Sequence, residues 1–208
     1  TDNIEMSDSV RIYYSNDSGN SFIKMDGPSF SVPAGVTDVA QIKVVALDIY
    51  NNEGEALSDY FSVTDNTPPM VIINTPGTLS IGNQYQISWS GSDNTGFSSH
   101  ELFYSKEVGS AYLPIVSVDG SFNTHLWIVP NIVTETASFS ITAYDLVGLT
   151  DSDTSNYFSI IDETPPEITI VVPTITSSIP EYEELTVFLD ATDNIEMSDS
   201  VRIYYSND

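Results

Sequence analysis

The stretch YQISWSGSD, at residues 85–93, alternates large apolar residues with small or polar ones. In an extended strand, Tyr85, Ile87 and Trp89 would lie on one face, and the intervening glutamine and serines would lie on the other. This alternation is typical of an antiparallel strand that has one face buried and one face in water. We therefore expect Trp89 to be buried between two sheets.

Segments of the same kind recur about every ten residues on either side, separated by residues that favour turns. No long stretch shows the periodicity of a helix. Together these segments predict an all-β fold, an immunoglobulin-like sandwich whose seven strands we letter A to G. The predicted strands cover residues 70–76, 83–91, 99–105, 111–118, 122–130, 137–145 and 156–162.

The sequence also contains two internal repeats. The stretch TDNIEMSDSVRIYYSND occurs at residues 1–17 and again, unchanged, at residues 192–208. A weaker repeat relates DYFSV (59–63) to NYFSI (156–160) and DNTPP (65–69) to DETPP (162–166). These matches indicate tandem modules of about 95 residues, the size at which one β-sandwich closes its core.

The repeats predict one complete module between two incomplete ones, as in a fragment of a longer repeat array. Residues 1–64 would supply strands C to G of the first module. Residues 65–162 would form the complete module, and residues 163–208 would supply strands A to C of the third.

Charge and composition exclude several functions. The chain has 30 acidic and 5 basic residues, a formal net charge of −25, so nucleic acid and anionic membranes would be repelled. No apolar run reaches the length of about 18 residues that a membrane span needs, which predicts no membrane insertion. The absence of cysteine excludes disulfides and thiolate chemistry.

Catalysis is not expected. His100 and His125 are the only histidines, and neither has a serine or carboxylate partner at a recognisable spacing. No phosphate-binding glycine-rich loop and no zinc-binding spacing occurs either. The sequence therefore predicts a protein that is not an enzyme.

Carboxylates in the predicted loops form the candidate site. In a seven-strand sandwich, connectivity places the linker into strand A at the same end as the B–C and F–G loops. Asp65 in the linker, Asp93 in the B–C loop and Asp145 at the start of the F–G loop should therefore gather at one pole. Three carboxylates there would repel one another without a cation, and calcium prefers such oxygen ligands.

The other module type repeats this set, with Asp162 and Asp193 in one copy and Asp2 and Asp48 in the other. We expect all seven aspartates to serve as ligands of Ca²⁺ at module junctions. The alternative is that they only form turns, because Asp and Asn side chains readily hydrogen-bond to nearby backbone groups.

The segments YQISWSGSDNTGFSSHELFYS, WIVP, ITAYDLVG and NYFSIIDETPP resemble the bacterial immunoglobulin-like tandem repeats of large secreted and surface proteins, especially adhesins. The resemblance implies an extracellular or cell-surface location and a non-catalytic extender in a stalk or fibre, in many members stiffened by calcium at module junctions. Its partners would be neighbouring modules of the same array. Two alternatives stay open: a module that binds carbohydrate or another ligand, for example a cell-surface glycan, and a subunit that assembles with other copies into an extracellular filament.

Overall fold

The computed structural model describes residues 10–174, 177–198 and 200–206. All regular structure in these residues is β-strand, as predicted. Within the same ranges, no helix is long and apolar enough to cross a membrane. The described residues divide into two compact units. One contains the residues up to Met70 with Gly91–Ser99 and Ala143–Asp151, and the other contains the remaining described residues.

The N-terminal strands form a single sheet. Its order is β2-β1-β3-β4, and β5 also pairs with β3. The pairs β1–β2, β1–β3, β3–β4 and β3–β5 are antiparallel, and β1 lies opposite β3 from Val10 against Ala46 to Ser15 against Gln41. The strands are β1 (Val10–Ser15), β2 (Ile23–Met25), β3 (Thr37–Leu47), β4 (Glu53–Leu57) and β5 (Phe61–Val63).

The next nine strands form two sheets. The order of the smaller sheet is β11-β8-β6, and that of the larger sheet is β10-β9-β12-β14-β7, with β13 added on β12. The strands are β6 (Met70–Ile73), β7 (Leu79–Ser80), β8 (Gln84–Ser92), β9 (Phe97–Ser105), β10 (Leu113–Asp119), β11 (Thr124–Ile128), β12 (Thr134–Asp145), β13 (Thr150–Thr154) and β14 (Phe158–Ile161).

Aromatic residues fill the space between these two sheets. Trp89 is buried, as its alternation predicts, and lies 5.4 Å from the ring of His100. Phe139 is fully buried and contacts the rings of Tyr85 and Trp127 at 6.2 and 5.1 Å between centroids. In the stretch HLWIVP the alternation predicts that one of Leu126 and Trp127 faces outward without indicating which, and the structure shows that it is Leu126. These contacts make the central part of the chain a β-sandwich.

Each of the seven predicted central strands is present, and the structure adds β7 and β13. Strand β7 has only two residues and pairs with β14 in parallel, so it is too short to show an alternation. Strand β13 has the sequence TDSDT and contains no apolar residue, so no alternation marks it as a strand. Backbone hydrogen bonds pair it with β12. The fourth of the seven predicted strands is β10, and it lies beside β9 in the larger sheet.

The C-terminal described residues form a ribbon of two antiparallel strands, β15 (Glu167–Val172) and β16 (Phe188–Thr192). Residues 201–206, expected as a third strand, form no strand and are exposed. The same six letters form β1 at residues 10–15, where β3 pairs with them. The expectation of a strand at 201–206 was wrong: a strand needs a partner for its backbone groups, and no described strand pairs with this segment.

Candidate metal centre

Asp93 organises the loop between β8 and β9. Its Oδ2 accepts hydrogen bonds from the backbone N–H groups of Thr95 and Gly96, both at 2.8 Å, and from Oγ1 of Thr95 at 2.8 Å. Gly96 has a φ of 96°, which glycine adopts without the steric cost of a side chain. The other oxygen, Oδ1, is buried and has no hydrogen-bond partner in the protein. One oxygen of Asp93 therefore shapes the loop, and the second remains available.

Asp145 plays the same double role in the hairpin between β12 and β13. Its Oδ1 accepts hydrogen bonds from the N–H groups of Val147 at 2.9 Å and Leu149 at 2.8 Å. The residue is 1% exposed, and its Oδ2 has no hydrogen-bond partner. Burying an ionised oxygen without a partner is costly. An oxygen held in this way is an unused ligand for a cation.

Asp65 reaches the same place from the segment that follows β5. Its Oδ1 accepts hydrogen bonds from Thr67 N–H and from Asn94 Nδ2, both at 3.0 Å. Its Oδ2 lies 2.8 Å from Thr95 Oγ1 and shares the proton of that hydroxyl with Oδ2 of Asp93. The hydrogen bond from the Asn94 side chain, and next the one from Thr67 N–H, hold the pKa of Asp65 below its ordinary value. Asp65 is thus negatively charged throughout the neutral range.

The three aspartates form one cluster. One carboxylate oxygen from each of Asp65, Asp93 and Asp145 lies within 4.8 Å of the others. The ion pairs Arg11–Glu53 and Lys106–Glu107 involve none of the three. A donor set of carboxylate oxygens without nitrogen or sulfur suits a hard cation, and a flexible loop cluster suits calcium better than magnesium, which demands octahedral geometry.

Asp162 and Asp193 form part of a second arrangement that resembles the cluster of Asp65, Asp93 and Asp145. Asp162 Oδ1 accepts hydrogen bonds from Thr164 N–H at 3.1 Å and from Asn194 Nδ2 at 3.0 Å, which repeats the pattern at Asp65. The side chain of Asn194 is the first cause of a lowered pKa at Asp162. Asp193 Oδ1 is buried without a hydrogen-bond partner. Within the described part of the chain, no third acidic side chain completes a metal-binding group with these two.

Asp48 does not join either arrangement in the described structure. Asp48 uses both oxygens inside its own hairpin, where it accepts hydrogen bonds from Tyr50 N–H, Asn52 N–H and Asn52 Nδ2 at 2.8 to 2.9 Å. Its surroundings here are those of a turn residue. Asp2 lies outside the described residues.

Sequence reasoning did not identify the neutral side chains that position these carboxylates. Asn94 and Thr95 connect Asp65 to the loop of Asp93. In the arrangement of Asp162 and Asp193, Nδ2 of Asn131 donates a hydrogen bond to the backbone oxygen of Asn194. The pair Asp-Asn, which occurs at both 93–94 and 193–194, was the signal that could have indicated the role of the asparagines.

The two histidines belong to strands of the central sandwich. His100 is buried in the sandwich beside Trp89, and burial lowers its pKa because the charged form loses its hydration. His125 lies on β11 opposite Ile87. Both are strand residues of the sandwich.

Comparisons with known proteins return no matching family model and no matching curated protein. Among solved structures, the chain is similar to the fibronectin(III)-like modules of Clostridium thermocellum CbhA. The TM-score is 0.39 and the sequence identity is 17%, over 73% of this chain and 78% of that chain. The sandwich fold of the central strands follows from their own pairing and burial.

Proposed function

We propose that the chain is a non-catalytic structural extender, part of the stalk of a bacterial surface or secreted fibre or adhesin. Its modules, predicted at 1–64, 65–162 and 163–208, would be joined in line and stiffened by calcium at their junctions. The observation that carries this proposal is the cluster of Asp65, Asp93 and Asp145, in which two buried carboxylate oxygens have no partner.

A cation at this cluster would fasten a connecting segment to two loops. Asp65 stands three residues before Pro68 and Pro69, which have fixed φ angles and cannot donate to a sheet ladder. Asp93 and Asp145 stand at the ends of long strands of the sandwich. Calcium bound by all three would hold the connecting segment against these strand ends and so restrict bending at the joint.

The charge of the chain also supports an extracellular role. With a net charge of −25, the surface concentrates cations. Extracellular calcium modules bind in the range of about 10⁻⁴ to 10⁻³ M, so such a site would be filled outside the cell. Without calcium, like charges at the cluster would repel one another, and the joint would loosen.

The test combines calorimetry with small-angle X-ray scattering, each in calcium and in chelator. We expect binding at submillimolar to millimolar calcium, a higher melting temperature, and a narrower distribution of interatomic distances. Asp93→Asn should abolish these effects while it keeps an oxygen that accepts the hydrogen bonds from Thr95 and Gly96. Asp119→Asn is the matched control, because Asp119 caps a turn through Ser121 N–H at 2.9 Å outside the cluster.

Two results would contradict the proposal. One is the absence of calcium binding at millimolar concentration together with an unchanged melting temperature. The other is an equal loss of calcium binding in Asp93→Asn and Asp119→Asn, because a diffuse negative surface would then account for the binding.

A further inference from the structure

Strand β11 forms one edge of the smaller sheet of the central sandwich, whose order is β11-β8-β6. Its register to β8 runs from Thr124 opposite Ser88 to Ile128 opposite Gln84. No other strand in the described part of the chain pairs with β11. The edge belongs to the sandwich that has both of its sheets, and it therefore does not depend on where the chain begins or ends.

The hydrogen bonds around β11 show which of its backbone groups point away from β8. Trp89 N–H donates to the backbone oxygen of Asn123 at 3.1 Å, and Val129 N–H donates to the backbone oxygen of Asn83 at 2.9 Å. Bonded and non-bonded residues alternate along an antiparallel pair, so the odd-numbered residues of this segment bond to β8. The even-numbered residues direct their N–H and C=O groups outward, and these are Thr124, Leu126 and Ile128.

The other edges of the sandwich have features that oppose the addition of a strand. At β6, the N–H of Ile73 already donates to Oδ2 of Asp153 at 2.8 Å. Strand β13 contains Asp151 and Asp153, and strand β10 contains Pro114, which has no N–H. Strand β7 has only two residues. Charged side chains, prolines and very short strands are the usual means by which an edge avoids pairing.

Strand β11 has none of these features. Its sequence, THLWI, contains no proline, lysine or carboxylate, and no bulge interrupts its register to β8. The side chains of Leu126 and Ile128 are 56% and 63% exposed. Phe122, two residues before the strand, is 57% exposed. Strand β11 therefore offers outward backbone groups beside a row of exposed apolar side chains.

Carboxylates lie beyond both ends of β11. Asp119 begins the turn before the strand, and the hydrogen bond from Ser121 N–H, as the first cause, holds the pKa of Asp119 below its ordinary value. Three residues after the strand, Nδ2 of Asn131 donates to the backbone oxygen of Asn194. The Nδ2 of Asn194 in turn donates to Oδ1 of Asp162 at 3.0 Å. An edge without carboxylates is thus flanked by negative charge.

Positive charge is scarce in the same part of the sequence. No lysine or arginine occurs between Lys106 and Arg202, and the whole chain has 30 acidic and 5 basic residues. A partner segment with basic residues would be attracted to this edge. An acidic segment would be repelled, and so would a second copy of this chain, whose net charge is also −25.

We propose that the edge of β11 binds an extended, basic peptide segment of a partner protein by β-strand addition. The backbone of the segment pairs with the outward N–H and C=O groups of Thr124, Leu126 and Ile128. Apolar side chains at alternate positions of the segment pack beside Leu126 and Ile128. Lysine or arginine at its two ends is attracted by Asp119 and Asp162. This contact goes beyond the proposed function, because it does not depend on calcium.

Isothermal titration calorimetry of the full chain with synthetic peptides tests the proposal. The probe is the acetylated and amidated peptide KTVTVTK, which has alternating valines and a lysine at each end. The peptide ETVTVTE is the control for charge. The control for backbone pairing is KTVTVTK with an N-methyl group on both valines, because their N–H groups would face β11. Both controls should bind more weakly by about tenfold or more.

Variants of the chain locate the contact. Leu126→Lys places a positive charge on the edge, as natural edge strands do, and should weaken binding of KTVTVTK by about tenfold or more. Ile72→Lys is the matched control. Ile72 is half exposed on the outer face of the same sheet, but it lies on β6, where Ile73 N–H is already bonded to Asp153. Ile72→Lys should therefore leave the affinity unchanged.

Amide hydrogen exchange measured by NMR distinguishes strand addition from diffuse attraction and needs no substitution. Bound KTVTVTK should slow the exchange of the N–H groups of Thr124, Leu126 and Ile128. It should leave unchanged the exchange of His125 and Trp127, whose N–H groups already point to β8.

Four results would overturn the proposal. The first is the absence of binding at millimolar KTVTVTK, and the second is equal binding of either control peptide. The third is equal weakening by Leu126→Lys and Ile72→Lys. The fourth is protection of the same three N–H groups without any peptide when the chain associates with itself, which would identify a second copy as the occupant of the edge.

Discussion

Asp48 and Asp145 lie at the same position in two equivalent hairpins, yet only Asp145 keeps a carboxylate oxygen without a hydrogen-bond partner. In both hairpins Oδ1 accepts hydrogen bonds from the N–H groups two and four residues later. In the first hairpin the Asn52 side chain also donates to Oδ2 of Asp48 at 2.8 Å. The second hairpin has Leu149 at that position, and the side chain of leucine has no hydrogen-bond donor. One residue thus decides whether the second oxygen is free.

Replacing Asn52 by Leu should make the hairpin of Asp48 resemble that of Asp145. The side chain of Asn52 is the first cause of the lowered pKa of Asp48, so N52L should raise that pKa toward its ordinary value of 3.8. An NMR titration of the Asp48 carboxyl carbon measures the change. The pKa of Asp65, whose partners are unaltered, is the internal control. An unshifted Asp48 would mean that backbone donors alone set its acidity.

Asp145→Asn should separate the turn role of Asp145 from its role in the cluster. The asparagine keeps an oxygen that accepts the N–H groups of Val147 and Leu149, so the hairpin should persist. The stabilisation by calcium, which mass action puts at about 2.7 kcal/mol at one hundred times the dissociation constant, should disappear. Thermal melts with and without calcium measure this loss. Asp48→Asn is the control, and the same loss there would rule out a special role for Asp145.

The loop after β1 should give a pH dependence of its own. Hydrogen bonds from Ser21 and then Ser15 hold the pKa of Asp17 at about 2, below its ordinary value of 3.8. The folded state therefore releases this proton more readily than the unfolded state, so the contribution of Asp17 is fully present above about pH 3.8 and is lost as the pH falls through about 2.

Ser21→Ala tests this contribution, because it removes the hydrogen bond from Ser21 Oγ to Oδ2 of Asp17, at 2.6 Å. The pKa of Asp17 measured by NMR should then rise. Ser18→Ala is the control, because Ser18 is not among the causes of the shift. A pKa near 3.8 in the unaltered chain would contradict the prediction.

Truncating two equivalent phenylalanines should have unequal effects. Phe158→Ala empties a buried position in the sandwich and should cost about 3–5 kcal/mol of unfolding free energy. Phe61→Ala removes a side chain that already meets water, so its cost in dilute solution should be clearly smaller. Urea denaturation of both variants at low protein concentration measures the difference. Equal costs would mean that Phe61 is as well covered as Phe158 under those conditions.

The alternation of residues was a good guide wherever a strand has one buried face. It placed Trp89 in the core, and connectivity alone brought Asp65, Asp93 and Asp145 to one place, because the ends of a sandwich are determined by the order of its strands. The pattern could not reveal β13, whose residues are all polar. It also could not indicate that Asn94 and Thr95 bridge the aspartates, because such hydrogen bonds depend on loop geometry rather than on periodicity.

The two conformations of the duplicated stretch also bear on how fast the chain folds. The letters VRIYYS form a strand at 10–15 between β2 and β3, and the same letters at 201–206 form none. The letters alone therefore do not make a strand, and β1 depends on closing the loops that bring β2 and β3 beside it. We therefore expect β1 to gain protection from amide hydrogen exchange during refolding together with β2 and β3, and not before them.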